Sequence, residues 1–246
     1  MRGEAGRSFE KAAFSGREDS IRLFLDAALE RLPDSDTLRI LDLGCGAGDL
    51  LLALRRDRPR AILTGVDISP LNIQAAVTRA KADPNGHGDL RFEASDYLQA
   101  RFDGFDVILA ESVLHLIVGD HDRLAAKLAT DLAPGGVIIA TMPQDNLTNR
   151  ILILQRHLWR AMPPAADSLA VRIARTIHPR EPAQIIAERV GYLRIIPKRL
   201  HGPQWTGQMQ TAGLDLVEDI KWPRASILKP IHRLLVFMRK MSASER

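Results

Sequence analysis

Cysteine is almost absent from this chain: Cys45 is the only one in 246 residues. A single thiol excludes an internal disulfide framework and a cysteine-built structural zinc site. Nothing else in the sequence calls for a metal. Cys45 stands among glycines, where a small apolar filler is a better reading than a nucleophile. Long apolar runs are missing too. No stretch is long enough to span a bilayer, and residues 1–17 lack the apolar core of a secretory signal, so the expected setting is soluble and cytoplasmic. Neither sign of charge dominates. The formal net charge is +4 and the pI is near 9.5, which alone does not argue for nucleic acid. Internal repeats and low-complexity tracts are also lacking. What remains is an ordinary globular composition, 46% hydrophobic and 26% charged, fitting one large α/β domain or a domain with a sizeable insertion.

Residues 38–51 organise the rest. Ile40, Leu41 and Leu43 read as a short buried strand, too tightly bounded for a helix. Gly44, Gly46 and Gly48 then let the backbone turn sharply and pass close to a ligand. Leucine-rich helical sequence follows at once. This is a nucleotide-type binding loop opening an α/β domain.

Around it the chain alternates. Ser15 and Glu18 have capping-box spacing, and Ile21, Phe24, Leu25, Ala28, Leu29 and Leu32 predict a helix over about 18–32, stopped by Pro33. Phe9 and Phe14 lie upstream, as a lid or an extension of the core. After the loop come a helix over 49–57, a strand over 61–67, and a helix from Ser69-Pro70 to about residue 82. A turn is expected at 84–88. Strands follow at 90–93, 105–110 and 137–141, with a helix over about 120–132. Strands that are unbroken apolar runs between helices imply a parallel sheet covered on both faces. The alternation stops at 144–203, where helix-like pieces are divided by prolines. That region holds ten basic against four acidic residues, a net +6, so the positive charge is local. A helix over 204–212, strands at 214–220 and 232–240, and a frayed tail complete the chain.

Two ligands share the strand, glycine turn and helix. A dinucleotide fingerprint needs G-x-G-x-x-G, but the glycines here run G-x-G-x-G, and Asp49 falls where the last belongs. Asp42 and Asp49 also bracket the loop with negative charge, which would repel a pyrophosphate and attract an ammonium or a sulfonium. Asp67, ending the second strand, can serve the ribose of either ligand. The charges favour S-adenosylmethionine.

At this point a resemblance can be stated. Residues 41–48 (LDLGCGAG), 65–69 (GVDIS), 94–96 (ASD), 105–108 (FDVI) and 132–136 (LAPGG) resemble, in order, the motifs of class I S-adenosylmethionine-dependent methyltransferases. The resemblance covers roughly residues 35–145. It implies a Rossmann-like, seven-stranded, mostly parallel sheet with helices on both faces, the last strand antiparallel, and a helical cap between strands five and six. The expected organisation is one domain over 1–246, with an N-terminal helical segment at 1–33 and the cap at 144–203. The resemblance also implies that Gly44, Gly46 and Gly48, with Cys45 among them, line the methionine portion of the cofactor. Asp67 would take the ribose hydroxyls and Ile68 lie against the adenine. Asp96 would face the adenine amino group, with Ser95 or Tyr97 nearby. Asp42 either meets the cofactor or mainly holds the loop through backbone bonds.

Methyl transfer needs alignment and exclusion of water, and a general base only when the attacking atom must shed a proton. Glu111 and His115 follow the fourth strand at the carboxyl edge, where open α/β sheets bind ligands. They share a face if that stretch is helical. His115 is the candidate base or acceptor-orienting residue, against the alternative of a packed structural histidine; Glu111 is expected at the cofactor and in catalysis. The stretch after the fourth strand lacks the Asn/Asp-Pro-Pro-aromatic signature of enzymes that methylate exocyclic base amines. Cysteine-adduct chemistry is disfavoured because the only cysteine is in the loop. No nucleic-acid partner is therefore expected.

A small acceptor leads, methylated at oxygen or nitrogen, amphipathic or anionic, as in natural-product biosynthesis. Ile151, Leu154, Leu158 and Met162 share a helical face, with Trp159 nearby and Arg150, Arg156 and Arg160 interspersed. As a cap they would form an apolar pocket with a basic rim, where Phe14, His115, Arg150 and Trp159 could meet the acceptor. Alternatively the stripe packs on the sheet or a dimer partner, or docks on an anionic membrane with a lipid-like acceptor. An RNA or protein substrate read by the basic insertion is the remaining alternative. Monomer and homodimer both stay open.

Overall fold

The structure is a computed structural model and describes residues 18–83, 88–177, 179, 183–223 and 230–241. Phe9, Phe14, Ser15 and the turn at 84–87 lie outside the described residues.

Local sequence sets the elements. The first helix among the described residues, α1 (Glu18–Leu29), buries Phe24, Leu25 and Ala28 completely. It ends three residues before the expected stop, where Arg31 N–H bonds Ala28 O in a tightened last turn. Then come β1 (Arg39–Leu43), α2 (Asp49–Asp57) and β2 (Ile62–Asp67). In α3 (Pro70–Ala82) the cap is the expected one: Ser69 Oγ accepts the Asn72 N–H at 3.3 Å and proline opens the helix. The chain continues through β3 (Leu90–Ala94), β4 (Phe105–Glu111), α4 (His121–Asp131) and β5 (Leu132–Pro143). β5 begins earlier than its apolar run because Leu132 already pairs with Phe105, before a register shift to the pair Val107–Val137. Three helices interrupt the alternation, α5 (Leu147–Ala161), α6 (Ala165–Ile177) and α7 (Ala183–Tyr192). The chain then closes with α8 (Pro203–Thr211), β6 (Leu214–Lys221) and β7 (His232–Arg239).

The seven strands form one sheet in the order β3-β2-β1-β4-β5-β7-β6. β7 alone runs against the others, pairing antiparallel with both β5 and β6. Alternate side chains feed two cores. Leu41, Ile108, Ile138 and Phe237 face Leu124 and Leu128 of α4 and Trp205 and Met209 of α8. Ile40, Val107, Leu109 and Ile139 face α1 and α2. The chain order reverses direction between β1 and β4, so the loops leaving those strands part and open a crevice at the carboxyl edge.

The stretch after β4 is not helical, so the condition for Glu111 and His115 to share a helical face is not met. Ser112 has φ +53°, the one positive value outside glycine among the described residues, and residues 114–116 form a turn closed by Leu116 N–H on Val113 O. A left-handed serine costs about 1–2 kcal/mol. Thr141 of β5 holds it, its Oγ1 accepting the Ser112 N–H at 2.9 Å.

Phe237 is fully buried at the centre of β7, opposite Ile138 of β5 and Leu216 of β6. Phe237→Ala is expected to lower the free energy of unfolding by about 3–5 kcal/mol, read from the urea midpoint at unchanged slope.

Candidate active site

The turn after β1 is fixed by its own backbone. Gly44 N–H and Cys45 N–H both donate to Val66 O, at 2.8 and 3.0 Å, and Gly48 N–H donates to Cys45 O. Gly46 N–H donates to Asp67 Oδ2 at 3.0 Å. Gly44, Gly46 and Gly48 all have positive φ. A Cβ on Gly44 would lie 2.5 Å from Val113 Cγ2, and one on Gly48 2.8 Å from Phe92 Cζ. Only glycine fits. Cys45 fills the space beside Gly65, where a Cβ would meet its Sγ at 2.8 Å. Burial, with Asp42 and Asp67 nearby, pushes its thiol far above the usual range, which supports the filler role over a nucleophile.

With four of its N–H groups committed, the loop cannot offer the row of free donors a pyrophosphate needs. It offers negative charge instead. Asp42, one residue before the end of β1, is 3% exposed. Burial holds its carboxyl well above the usual range, and Glu111, Asp67 and Asp49 push it further in that order. Glu111, ending β4, is also raised by burial, although Ser20 of α1 donates Oγ–H to its Oε1 at 2.9 Å. Ser20 carried no signal in the sequence, since nothing there places α1 over β4. Asp67 accepts from the Gly46 N–H, from the Ser69 N–H at 2.8 Å and from Asn72 Nδ2 at 3.2 Å, with Ile68 half-buried beside it. Among the described residues no lysine or arginine is ion-paired with Asp42, Asp67 or Glu111. Asp49 differs from expectation: Arg79 of α3 pairs with it and also donates to Ala47 O, so Glu111 replaces it as the second charge beside Asp42.

His115 lies in the turn after β4 and is 3% exposed. Burial keeps its imidazole well below the usual range, and His232, Arg156 and Arg199 add to this. Its Nδ1 has no hydrogen-bond partner, and the His232 ring stands edge-on with centroids 6.0 Å apart. The turn is clamped from the segment after α7. Lys198 N–H donates to His115 O at 2.7 Å. The buried Arg199 guanidinium donates to Leu114 O, to Ile117 O at 2.9 Å and to Gly119 O at 3.1 Å. Arg199 was one basic residue among ten in the segment 144–203; three carbonyls gathered by a turn have no linear signature.

Other expected residues sit elsewhere. Ser95 N–H bonds Asp67 O at 3.0 Å, which brings the β3 turn beside β2. Asp96 closes its own turn, accepting from Leu98 N–H and Gln99 Nε2. Tyr97 is not gathered in: its ring stacks on Phe102, with Lys127 Nζ 4.8 Å from the ring centroid, and burial and Asp131 raise its phenol. Trp159 donates to Asp167, which also takes Arg194 Nε at 2.7 Å, a tie within the inserted helices. Arg150 is exposed and bonded to Asp145 at 2.6 and 2.9 Å. Phe14 lies outside the described residues.

A methyltransferase domain family model matches residues 34–169, more than half of the chain. The chain belongs to this methyltransferase family. Among similar proteins, trans-aconitate 2-methyltransferase of Deinococcus radiodurans is 33% identical over 123 residues, 49% of this chain and 45% of that one. Demethylmenaquinone methyltransferase of Thermus thermophilus is 36% identical over 145 residues, covering 58% and 62%. The chain spans about half the length of the first curated relatives it matches. Magnesium protoporphyrin IX methyltransferase from Synechocystis, solved with bound S-adenosylhomocysteine, superposes with TM-score 0.59 at 15% identity, over 95% of this chain and 92% of that one. That likeness is one of fold.

The cofactor implied by the methyltransferase family is S-adenosylmethionine, and the charges of these residues fit it. Among the described residues no lysine or arginine is ion-paired with the buried carboxyls of Asp42 and Glu111; an ammonium and a sulfonium would supply what is missing. The same burial has a cost for the empty fold. A carboxylate whose folded-state pKa is raised is harmless below the unfolded value and destabilises as pH rises through the folded one. Asp42→Asn is therefore expected to raise the ligand-free melting temperature at neutral pH, with no gain in acid, and to weaken S-adenosylhomocysteine at least about tenfold. Melting curves against pH and calorimetric titration check both.

Proposed function

We propose that this chain moves the methyl group of S-adenosylmethionine to oxygen or nitrogen of a small, anionic or amphipathic acceptor. The observation that carries the reading is the buried carboxylate group beneath the glycine turn, with no lysine or arginine paired to it among the described residues and a neutral histidine near the same sheet edge. When bound, the cofactor supplies a methyl group on a positively charged sulfur that becomes a neutral thioether. Gly44, Gly46 and Gly48 would hold its methionine portion, Asp67 its ribose, and Ile68, Ser95 and Asp96 would border its adenine.

His115 stays unprotonated because burial and the neighbouring His232, Arg156 and Arg199 disfavour its charged form. A neutral imidazole can take a proton from an acceptor hydroxyl or amine as the new bond to carbon forms. Arg156 and Arg199 also make this end of the sheet favourable for an anion. The relatives named for trans-aconitate and demethylmenaquinone support an acidic or amphipathic acceptor class. The inserted helices 147–192 would border it, since residues 198 and 199 bond to the His115 turn.

Transfer of labelled methyl from S-adenosylmethionine to a panel of polycarboxylic acids, phenols and quinols tests the reading. Product with at least one acceptor is expected, and none with any would contradict it. His115→Ala is expected to lower kcat at least about tenfold with S-adenosylhomocysteine affinity unchanged. Because the folded-state pKa of His115 is depressed, kcat/KM of the parent should stay flat as pH falls through the ordinary histidine range. Unaltered turnover in the variant would remove the base role.

A further inference from the structure

The stripe expected on α5 is present, but it covers neither the sheet nor a pocket. Leu147, Ile151, Leu154, Leu158 and Met162 are all exposed, Leu147 to 74% and Leu158 to 64%. On α6, which buries no residue, Leu169, Ile173 and Ile177 repeat at four-residue spacing and are exposed as well. Eight of the seventeen exposed large apolar side chains among the described residues fall within these 31 positions. A monomer in water has no reason to concentrate apolar surface in this way.

The direction of the face follows from what anchors α5. Asn149 Nδ2 donates to Gln144 O at 2.7 Å and Ile231 O at 2.8 Å, and its Oδ1 accepts the Ile231 N–H at 2.9 Å. Seven residues on, Arg156 Nη1 donates to Ile195 O at 2.8 Å. Asn149 and Arg156 share one side of the helix, and at about 100° per residue the apolar stripe lies on the other. It looks away from the sheet. α6 is tied through Asp167, off its own stripe, to Trp159 and Arg194.

The charge says what covers this face. Residues 146–177 hold five arginines and one aspartate, a net +4 equal to that of the whole chain, so everything outside sums to zero. Arg172 and Arg175 are exposed on α6 itself. A second copy laid face to face would bring two arginine-bearing surfaces together. An anionic bilayer complements both properties, taking the apolar side chains at the acyl boundary and the guanidinium groups among its phosphates. Among the described residues no helix is long and apolar enough to cross a membrane, so contact would be in the plane of the surface.

We propose that α5 and α6 together form a docking face for anionic lipid bilayers. The face stands on its own geometry, independent of the methyl acceptor. Since α5 leaves the carboxyl end of β5, docking would hold that edge of the sheet towards the lipid.

Flotation of the full chain with vesicles tests this, using phosphatidylcholine alone and phosphatidylcholine mixed with phosphatidylglycerol. Binding to the mixed vesicles is expected to exceed binding to the neutral ones at least about tenfold at low salt and to weaken as salt rises. The triple variant Leu154→Ser, Leu158→Ser, Ile173→Ser and the double variant Arg172→Glu, Arg175→Glu should each lose at least about tenfold in partitioning. Both should keep the parent melting temperature, because all five side chains are exposed. Absent binding, equal binding to neutral vesicles, or variants that bind like the parent would overturn the proposal. So would sedimentation velocity showing a dimer that the serine substitutions dissociate.

Discussion

Asp42 lies one residue before the end of the central strand with its carboxylate out of water, Glu111 ends the neighbouring strand close enough to repel it, and Asp67 lies across the glycine turn. Protein interiors tolerate such a group only when it is neutralised or paired. Here Arg79 goes to Asp49 at the rim, and among the described residues no lysine or arginine is ion-paired with Asp42, Asp67 or Glu111. The geometry of the glycine turn follows from the same need. Its N–H groups are spent on Val66 and Asp67, leaving a surface whose character is set by carboxylates. A cationic ligand completes the arrangement, and a pyrophosphate would worsen it.

The sheet delivers these groups to one place. The reversal of strand order between β1 and β4 sets the glycine turn and the Glu111–His115 segment on either side of the crevice. Beyond it the chain uses arginine as a fastener. Arg199 fastens the turn after β4 with three bonds to carbonyls, holding His115 where burial keeps it neutral. The cofactor half is thus acidic and the far half basic, a division suited to a cationic donor and an anionic acceptor. The basic inserted helices carry a different surface outward, so one insertion serves the turn at its base and offers an apolar face at its top.

Much of this was legible in the sequence. Short apolar runs punctuated by glycine and proline located all seven strands, and the loss of that alternation located the inserted helices. The glycine spacing and Asp42 already disfavoured a dinucleotide. What escaped depends on distance in space. Asp49 looked like half of the loop's charge because nothing linear links it to Arg79, thirty residues on. Glu111 and His115 would share a face only on a helix, and Ser112 in a left-handed conformation breaks that stretch. Tyr97 sits beside Asp96 in sequence, yet the apolar contact with Phe102 draws its ring into the core. The α5 periodicity was correct; which way the face points was decided by Asn149, whose partners Gln144 and Ile231 converge only in the fold.

The account rests on the ligand preference of the glycine turn, and calorimetric titration of the full chain with S-adenosylhomocysteine and with NAD tests that most directly. It predicts saturable binding of S-adenosylhomocysteine that weakens as pH falls and the buried carboxylates take up protons, and no saturable binding of NAD. Binding of NAD without S-adenosylhomocysteine would contradict it.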